Sequence, residues 1–212
     1  MFERIQKVFL DATTAFRDIP KVYRIHQREN FYSSLVKGNK DCDVIRKGLR
    51  ALLEKKRGKF PRLFFLSNEE LIDIFGRGEE LISSMIQGDS QAFVSTMFEG
   101  VHRLMFNSSH NIQSIRSKDG EIMSLLKPVL TGCTVDAWLS NFEEQMLNSL
   151  KHFFFFAFKE QDDKSMQDWI TSWPGQATLL ASEVWFTKKI HTIFQAQAER
   201  DRQNTIRQHL GS

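Results

Sequence analysis

The sequence predicts a mainly α-helical chain with a small antiparallel β-sheet. Three observations carry that expectation. Apolar residues recur every three to four positions through most of the chain, most clearly after Thr134, where Val135, Trp138, Leu139, Phe142, Met146, Leu150, Phe153 and Ala157 share one helical side. The period changes to strict alternation over residues 101–106 and 112–117, the mark of half-buried strands. The Asp119-Gly120 pair then favours a hairpin turn with two positive φ angles, so residues 112–117 are expected to pair with 121–125.

Taken in order, Phe2, Ile5, Phe9, Ala12 and Phe16 describe a first amphipathic helix, ended by Pro20. Residues 22–36 suggest a second, stopped by Gly38 and Asn39. Asp41 or Asp43 then caps a third, which runs through Ile45, Leu49 and Leu52 to a cationic end at Lys55, Lys56 and Arg57, with Gly58 as its stop. Residues 60–66, FPRLFFL, have the length and aromatic content of a buried strand with Pro61 near its start, a strand expected to join the sheet. Ser67 or Asn68 caps the next helix, Glu69 and Glu70 occupy its first turn, and Leu71, Ile72, Ile74 and Phe75 form its apolar side. Gly76-Arg77-Gly78 and Gly88-Asp89-Ser90 are breaks around a short helix over 79–86, and another helix covers 91–99 before Gly100. After the long helix, a polar stretch over 160–164 leads to a cap at Ser165 and to Trp169, Ile170 and Trp173. Pro174 is either the first residue of a new helix or a kink. The last helix carries Ala177, Leu180, Ala181, Val184, Trp185, Ile190, Ile193 and Phe194, then turns polar over 195–209.

The composition is that of an ordinary folded chain: 41% hydrophobic and 26% charged residues, with a net charge of +3 whose members read as mixed along the sequence. That mixture does not favour a nucleic-acid partner. Two cysteines, Cys42 and Cys133, make no disulfide framework, and the aromatic run at 153–158 is far short of the ~20 residues of a spanning helix. No membrane partner is expected. No GxxxxGK[ST] phosphate loop occurs, so ATP hydrolysis is not encoded in these residues and no cofactor is implied. The six histidines never stand at ligand spacing with a second donor, so no metal site is expected. Neighbouring carboxylates such as Glu69-Glu70 and Glu143-Glu144 point in different directions on a helix and suit caps and solvated faces better than acid–base work.

The stretch LRALLEKKRGKFPRLFFLSNEELIDI, residues 49–74, resembles a segment of dynein heavy chains that lies in the linker. VDAWLSNFEEQMLNSL (135–150) and WPGQATLLASEVWFTKKI (173–190) are similar to two later helices of that family, in family order, with SKDGEIMSL (117–125) matching the hairpin between them. The LSNEEL and WPGQ variants look more axonemal than cytoplasmic. The resemblance marks Phe60, Pro61, Arg62, Phe64, Phe65, Glu70, Leu71, Gly120, Glu121, Trp138, Leu139, Met146, Trp173, Pro174, Gln176, Trp185 and Thr187 as structural motif positions, none of them catalytic. Leu63, the Phe153–Phe156 run and Lys189 depart from the family pattern.

What the resemblance implies is one continuous linker fragment, an elongated helical bundle: an N-terminal helical segment (1–59), a strand, helix and hairpin subdomain (60–132), and a long-helix subdomain with a polar tail (133–212). Such a linker turns ATP-driven changes of the motor ring into movement along microtubules, in a cilium or flagellum axoneme of the cytoskeleton. Its partners are the ATPase ring and remaining linker of the same heavy chain and, through the parent, dynein intermediate and light chains. The segment itself is no enzyme on this reading. The rival reading is a free-standing helical interaction module that docks a partner through surplus aromatics Phe155, Phe156 and Phe158.

Overall fold

A computed structural model describes residues 1–18, 30–78, 80–88 and 91–210, with side chains as far as residue 203, and among the described residues there are eight α-helices, one 3-10 helix and one three-stranded antiparallel sheet. The mainly α class with a small antiparallel sheet is therefore observed. The expected stop at Pro20, the first half of the expected 22–36 helix, Glu79 and the break at Asp89-Ser90 lie outside the described residues. The chain divides into two units, Met1–Leu71 and Ile72–Ser212.

In the first unit α1 (Phe2–Asp18) packs on α2 (Phe31–Lys59). Small residues make the approach close: Ala12 and Ala15 are buried on α1, and a methyl added to the buried Gly38 would stand 3.6 Å from Val8 Cγ1. Arg4 Nε donates to Asp41 Oδ2 at 2.8 Å, and the Phe16 and Phe31 rings meet edge to face at 6.3 Å. Gly38, Asn39 and Gly58 do not end helices and neither Asp41 nor Asp43 starts one; all five lie inside α2. An isolated glycine costs only ~1 kcal/mol in a helix, which the packing of a 29-residue element overrides.

The expected strand over 60–66 is absent. Pro61–Phe65 is a 3-10 helix, closed by Leu63 N–H to Phe60 C=O at 3.1 Å and Leu66 N–H to Leu63 C=O at 3.2 Å. Burial follows its three-residue period: Phe60, Leu63 and Leu66 are inside, whereas Phe64 and Phe65 are 62% and 64% exposed. The segment therefore cannot join the sheet, whose order is β1-β2-β3. Because Phe64 lies outside the core, Phe64→Ala is expected to change stability by less than ~0.5 kcal/mol in urea melts.

Helix α3 (Asn68–Arg77) begins with a reciprocal capping box. Ser67 N–H donates to Glu70 Oε2 at 2.8 Å, and Glu70 N–H donates back to Ser67 Oγ at 3.2 Å. Ser67, of the two candidate caps, is thus the one used. The Ser67 backbone N–H, with its hydroxyl as the lesser cause, holds the Glu70 carboxyl below its ordinary 4.5. A depressed carboxyl contributes stability that is present above the unfolded pKa and lost as pH falls through the folded one. Thermal melts of parent and Glu70→Ala are accordingly expected to differ at neutral pH and to converge below 4.5.

In the second unit α4 (Glu80–Gln87) and α5 (Ala92–Met97) are short, with Gly78 (φ 53) after α3 and Gly88 (φ 109) after α4 in the left-handed conformation that stops a helix. The sheet comprises β1 (Arg103–Phe106), β2 (Ile112–Arg116) and β3 (Ile122–Val129). Ile115 pairs with Leu104 on one side and Met123 on the other, a buried apolar row across the sheet. The Asp-Gly hairpin forms as expected in place but not in kind. Gly120 alone is left-handed (φ 95), and Ser117 N–H meets Glu121 C=O at 2.8 Å around a three-residue loop.

Helix α6 (Val135–Glu160) packs against β3 and α8 (Gly175–Leu210), with α7 (Met166–Ser172) between the two long helices in sequence. Trp138, Leu139 and Phe142 are completely enclosed, and Phe98 meets Phe142 edge to face at 5.1 Å. Farther along, Ala157, Trp169 and Ala181 form a second buried cluster bordered by Phe154, Phe158 and Trp173. Of the apolar series expected on α8 only Ala177 and Ala181 are buried; Leu180, Val184, Ile190, Ile193 and Phe194 are exposed and Trp185 is half-buried. Ala177 and Ala181 pack because small residues let the helix approach; Leu180 and Val184 flank them at the margin of that contact, and Ile190, Ile193 and Phe194 lie beyond it.

Candidate functional site

The chemistry of the second unit lies in polar ties between elements. Ser149, enclosed on α6, accepts the Leu126 N–H of β3 at 3.0 Å while its hydroxyl donates to Gln145 C=O at 2.7 Å. At the hairpin, Glu121 Oε1 accepts the Gly175 N–H at 2.7 Å, across 54 positions of sequence. This carboxylate stands at the N-terminus of a 36-residue helix, where the helix dipole favours a negative charge. Trp169 Nε1 donates to Ala157 C=O at 2.7 Å inside the second cluster, fixing α7 to α6. Gln91, also buried, uses its amide to accept Leu104 N–H at 2.6 Å and to donate to Leu104 C=O at 3.3 Å, so both backbone groups of Leu104 on edge strand β1 are bonded.

The motif positions fall into place around these ties. Glu121, beside the left-handed Gly120, meets the WPGQ segment; Pro174 C=O accepts the N–H groups of Ala177 and Thr178, so α8 starts at this point as a new helix. Gln176 is exposed beside it. Trp173 stacks on Phe156 at 6.4 Å and 19°, lies 6.3 Å from Phe153, and carries Lys164 over its ring at 5.9 Å. Trp185 donates to Asp162 Oδ1 at 3.1 Å under Lys189, which is 4.9 Å from its ring centroid and 3.8 Å from the same carboxylate. Lys189, a departure from the family pattern, thus has a local partner. Thr187 bonds only back to Glu183 C=O, and Met146 is half-buried on α6. Trp138 and Leu139 are core.

In the first unit Leu71 and Phe60 are enclosed, Pro61 opens the 3-10 helix, and Arg62 is half-buried. The residue that organises this segment is Arg57. Its guanidinium donates to Leu66 C=O at 3.0 Å and to Leu63 C=O at 3.5 Å, pairs with Glu54 at 3.0 Å, and lies 5.6 Å from the centroid of the Phe64 ring. It satisfies the carbonyls at the end of the turn, beyond the dipole role read from sequence.

Sequence reasoning also missed Ser149, Gln91 and Asp162. Ser149 left a signal, since it follows Val135 and Phe142 at seven-residue intervals and so occupies a core position with a hydroxyl. Gln91 and Asp162 left none, because their partners are remote in sequence. Of the surplus aromatics, Phe156 and Phe158 pack against Trp173 and the second cluster, and Phe155 alone is 60% exposed. Among the described residues no group of three or more metal-ligating side chains gathers and no helix is long and apolar enough to cross a membrane.

The sheet and helices of the second unit are thus joined by hydrogen bonds between elements, with Glu121 of the motif positions at one of the joints, as in a structural rather than a catalytic segment. The family model described as dynein heavy chain, N-terminal region 2, matches residues 1–156, and the chain belongs to that family. It is 29% identical over 195 residues to dynein axonemal heavy chain 12 of Rattus norvegicus, covering 91% of this chain and 6% of that protein. It is 29% identical over 158 residues to dynein axonemal heavy chain 1 of Homo sapiens, covering 74% of this chain and 4% of that one. Identity to the ciliary dynein beta chain of Tripneustes gratilla is 25% over 212 residues, 97% of this chain and 5% of the relative. The chain thus spans about one twentieth of the length of these relatives.

Proposed function

We propose that this chain is part of a dynein linker, the element that carries nucleotide-driven change in the motor ring into movement along microtubules, in a ciliary or flagellar axoneme. The observation that carries the reading is the tie between Glu121 and Gly175, which joins the hairpin segment to the WPGQ segment, far apart in sequence. With Ser149 on Leu126 and Trp169 on Ala157, it makes hairpin, long helix and last helix move together. Hydrolysis belongs to other regions of the heavy chain, and the partners of this segment are the ATPase ring and the rest of the linker. The interaction-module reading loses ground because two of its three aromatics are already packed.

The test uses the parent heavy chain, with a donor dye at Lys118 on the hairpin and an acceptor on the ring. Transfer efficiency is expected to change between the nucleotide-free and ATP-bound motor. An efficiency that stays constant while the ring turns over ATP would contradict a linker position.

A further inference from the structure

Charges that look evenly mixed in sequence are divided unequally between the units. Met1–Leu71 holds sixteen lysines and arginines against nine carboxylates, and the remainder holds thirteen against seventeen. Much of the first unit's excess lies on α2. Lys37, Lys40, Lys47, Arg50 and Lys55 are all exposed and pair with no described carboxylate. The two acidic residues exposed on the same helix are already engaged, Asp43 with Arg46 at 3.7 Å and Glu54 with Arg57 at 3.0 Å.

The spacing gives this charge a shape. Lys37, Lys40, Val44, Lys47 and Ala51 follow one another at intervals of three, four, three and four, so they form a straight seam along the exposed side of the helix. From Lys37 to Ala51 the seam is ~21 Å long at 1.5 Å per residue. Val44, 55% exposed, and Ala51 are apolar positions set between the lysines.

We infer that this seam of α2 docks an acidic amphipathic helix of another polypeptide. The lysines meet carboxylates flanking the partner's apolar stripe, and Val44 and Ala51 leave room for that stripe to lie close. A phosphate backbone has no apolar counterpart for those two positions, and the seam has no aromatic between its lysines for base stacking. A membrane surface calls for bulky apolar residues opposite the charges, which the seam also lacks. Charge complementarity of this kind acts chiefly on encounter rate and on choice of partner, so binding falls as salt rises.

The test is fluorescence anisotropy of a synthetic helical peptide bearing glutamates on both sides of a leucine stripe, titrated with the full chain at low salt. The expected result is salt-sensitive binding that weakens about tenfold or more in Lys40→Glu/Lys47→Glu and stays within about twofold in Arg200→Glu/Arg202→Glu, with circular dichroism confirming that both variants fold. Equal weakening in the two variants would overturn the inference, because it would show general attraction. So would tighter binding to a short DNA duplex or to phosphatidylserine vesicles, absence of peptide binding at low salt, or a salt-sensitive dimer of this chain that excludes the peptide.

Discussion

Trp138→Ala is expected to destabilise the second unit by about 3–5 kcal/mol in urea unfolding, among the largest effects available to a single substitution in this chain. The side chain is completely enclosed, in the turn of α6 that also buries Leu139 and Phe142. Removing the indole leaves a cavity that the packed neighbours fill only in part, so the cost includes lost contacts as well as lost burial. A loss under ~1 kcal/mol would mean that the helix reseats itself on the sheet, and the rigid packing described for α6 would be wrong.

Trp169→Ala is the second large effect, again about 3–5 kcal/mol. Its ring is 2% exposed between Ala157 and Ala181, which are too small to close the space. Trp169→Phe separates the two contributions. It keeps most of the ring but removes the donor to Ala157 C=O, and is expected to cost about 0.5–1.5 kcal/mol plus the smaller ring's packing deficit. Equal losses in the two variants would assign the stabilisation to the hydrogen bond, against the packing argument.

The long helices were legible because their signal is local and repeated. Val135, Trp138, Leu139 and Phe142 define a face whatever surrounds them, and Asp119-Gly120 marks its turn without outside help. Residues 60–66 were not legible, because a continuous apolar run carries no period of its own. What selects the 3-10 turn is Arg57, which reaches the carbonyls of Leu63 and Leu66 from the preceding helix. The uncovered side of α8 was misread for a related reason. Hydropathy weights the large residues, although Ala177 and Ala181 make the contact while Leu180 and Val184 stay at its margin and Ile193 and Phe194 lie beyond it. The motif positions came from resemblance, and their meaning from geometry, since no local pattern joins Glu121 to Gly175.

The proposed mechanical role is tested most directly by measuring microtubule gliding and ATPase together in the parent motor carrying Trp138→Ala. If the segment is the lever proposed above, softening it wastes displacement without touching the site of hydrolysis. The account therefore predicts slower gliding with most of the basal ATPase retained. Unchanged gliding in a motor shown to be destabilised in this segment would contradict it, as would loss of ATPase in a ring that remains folded.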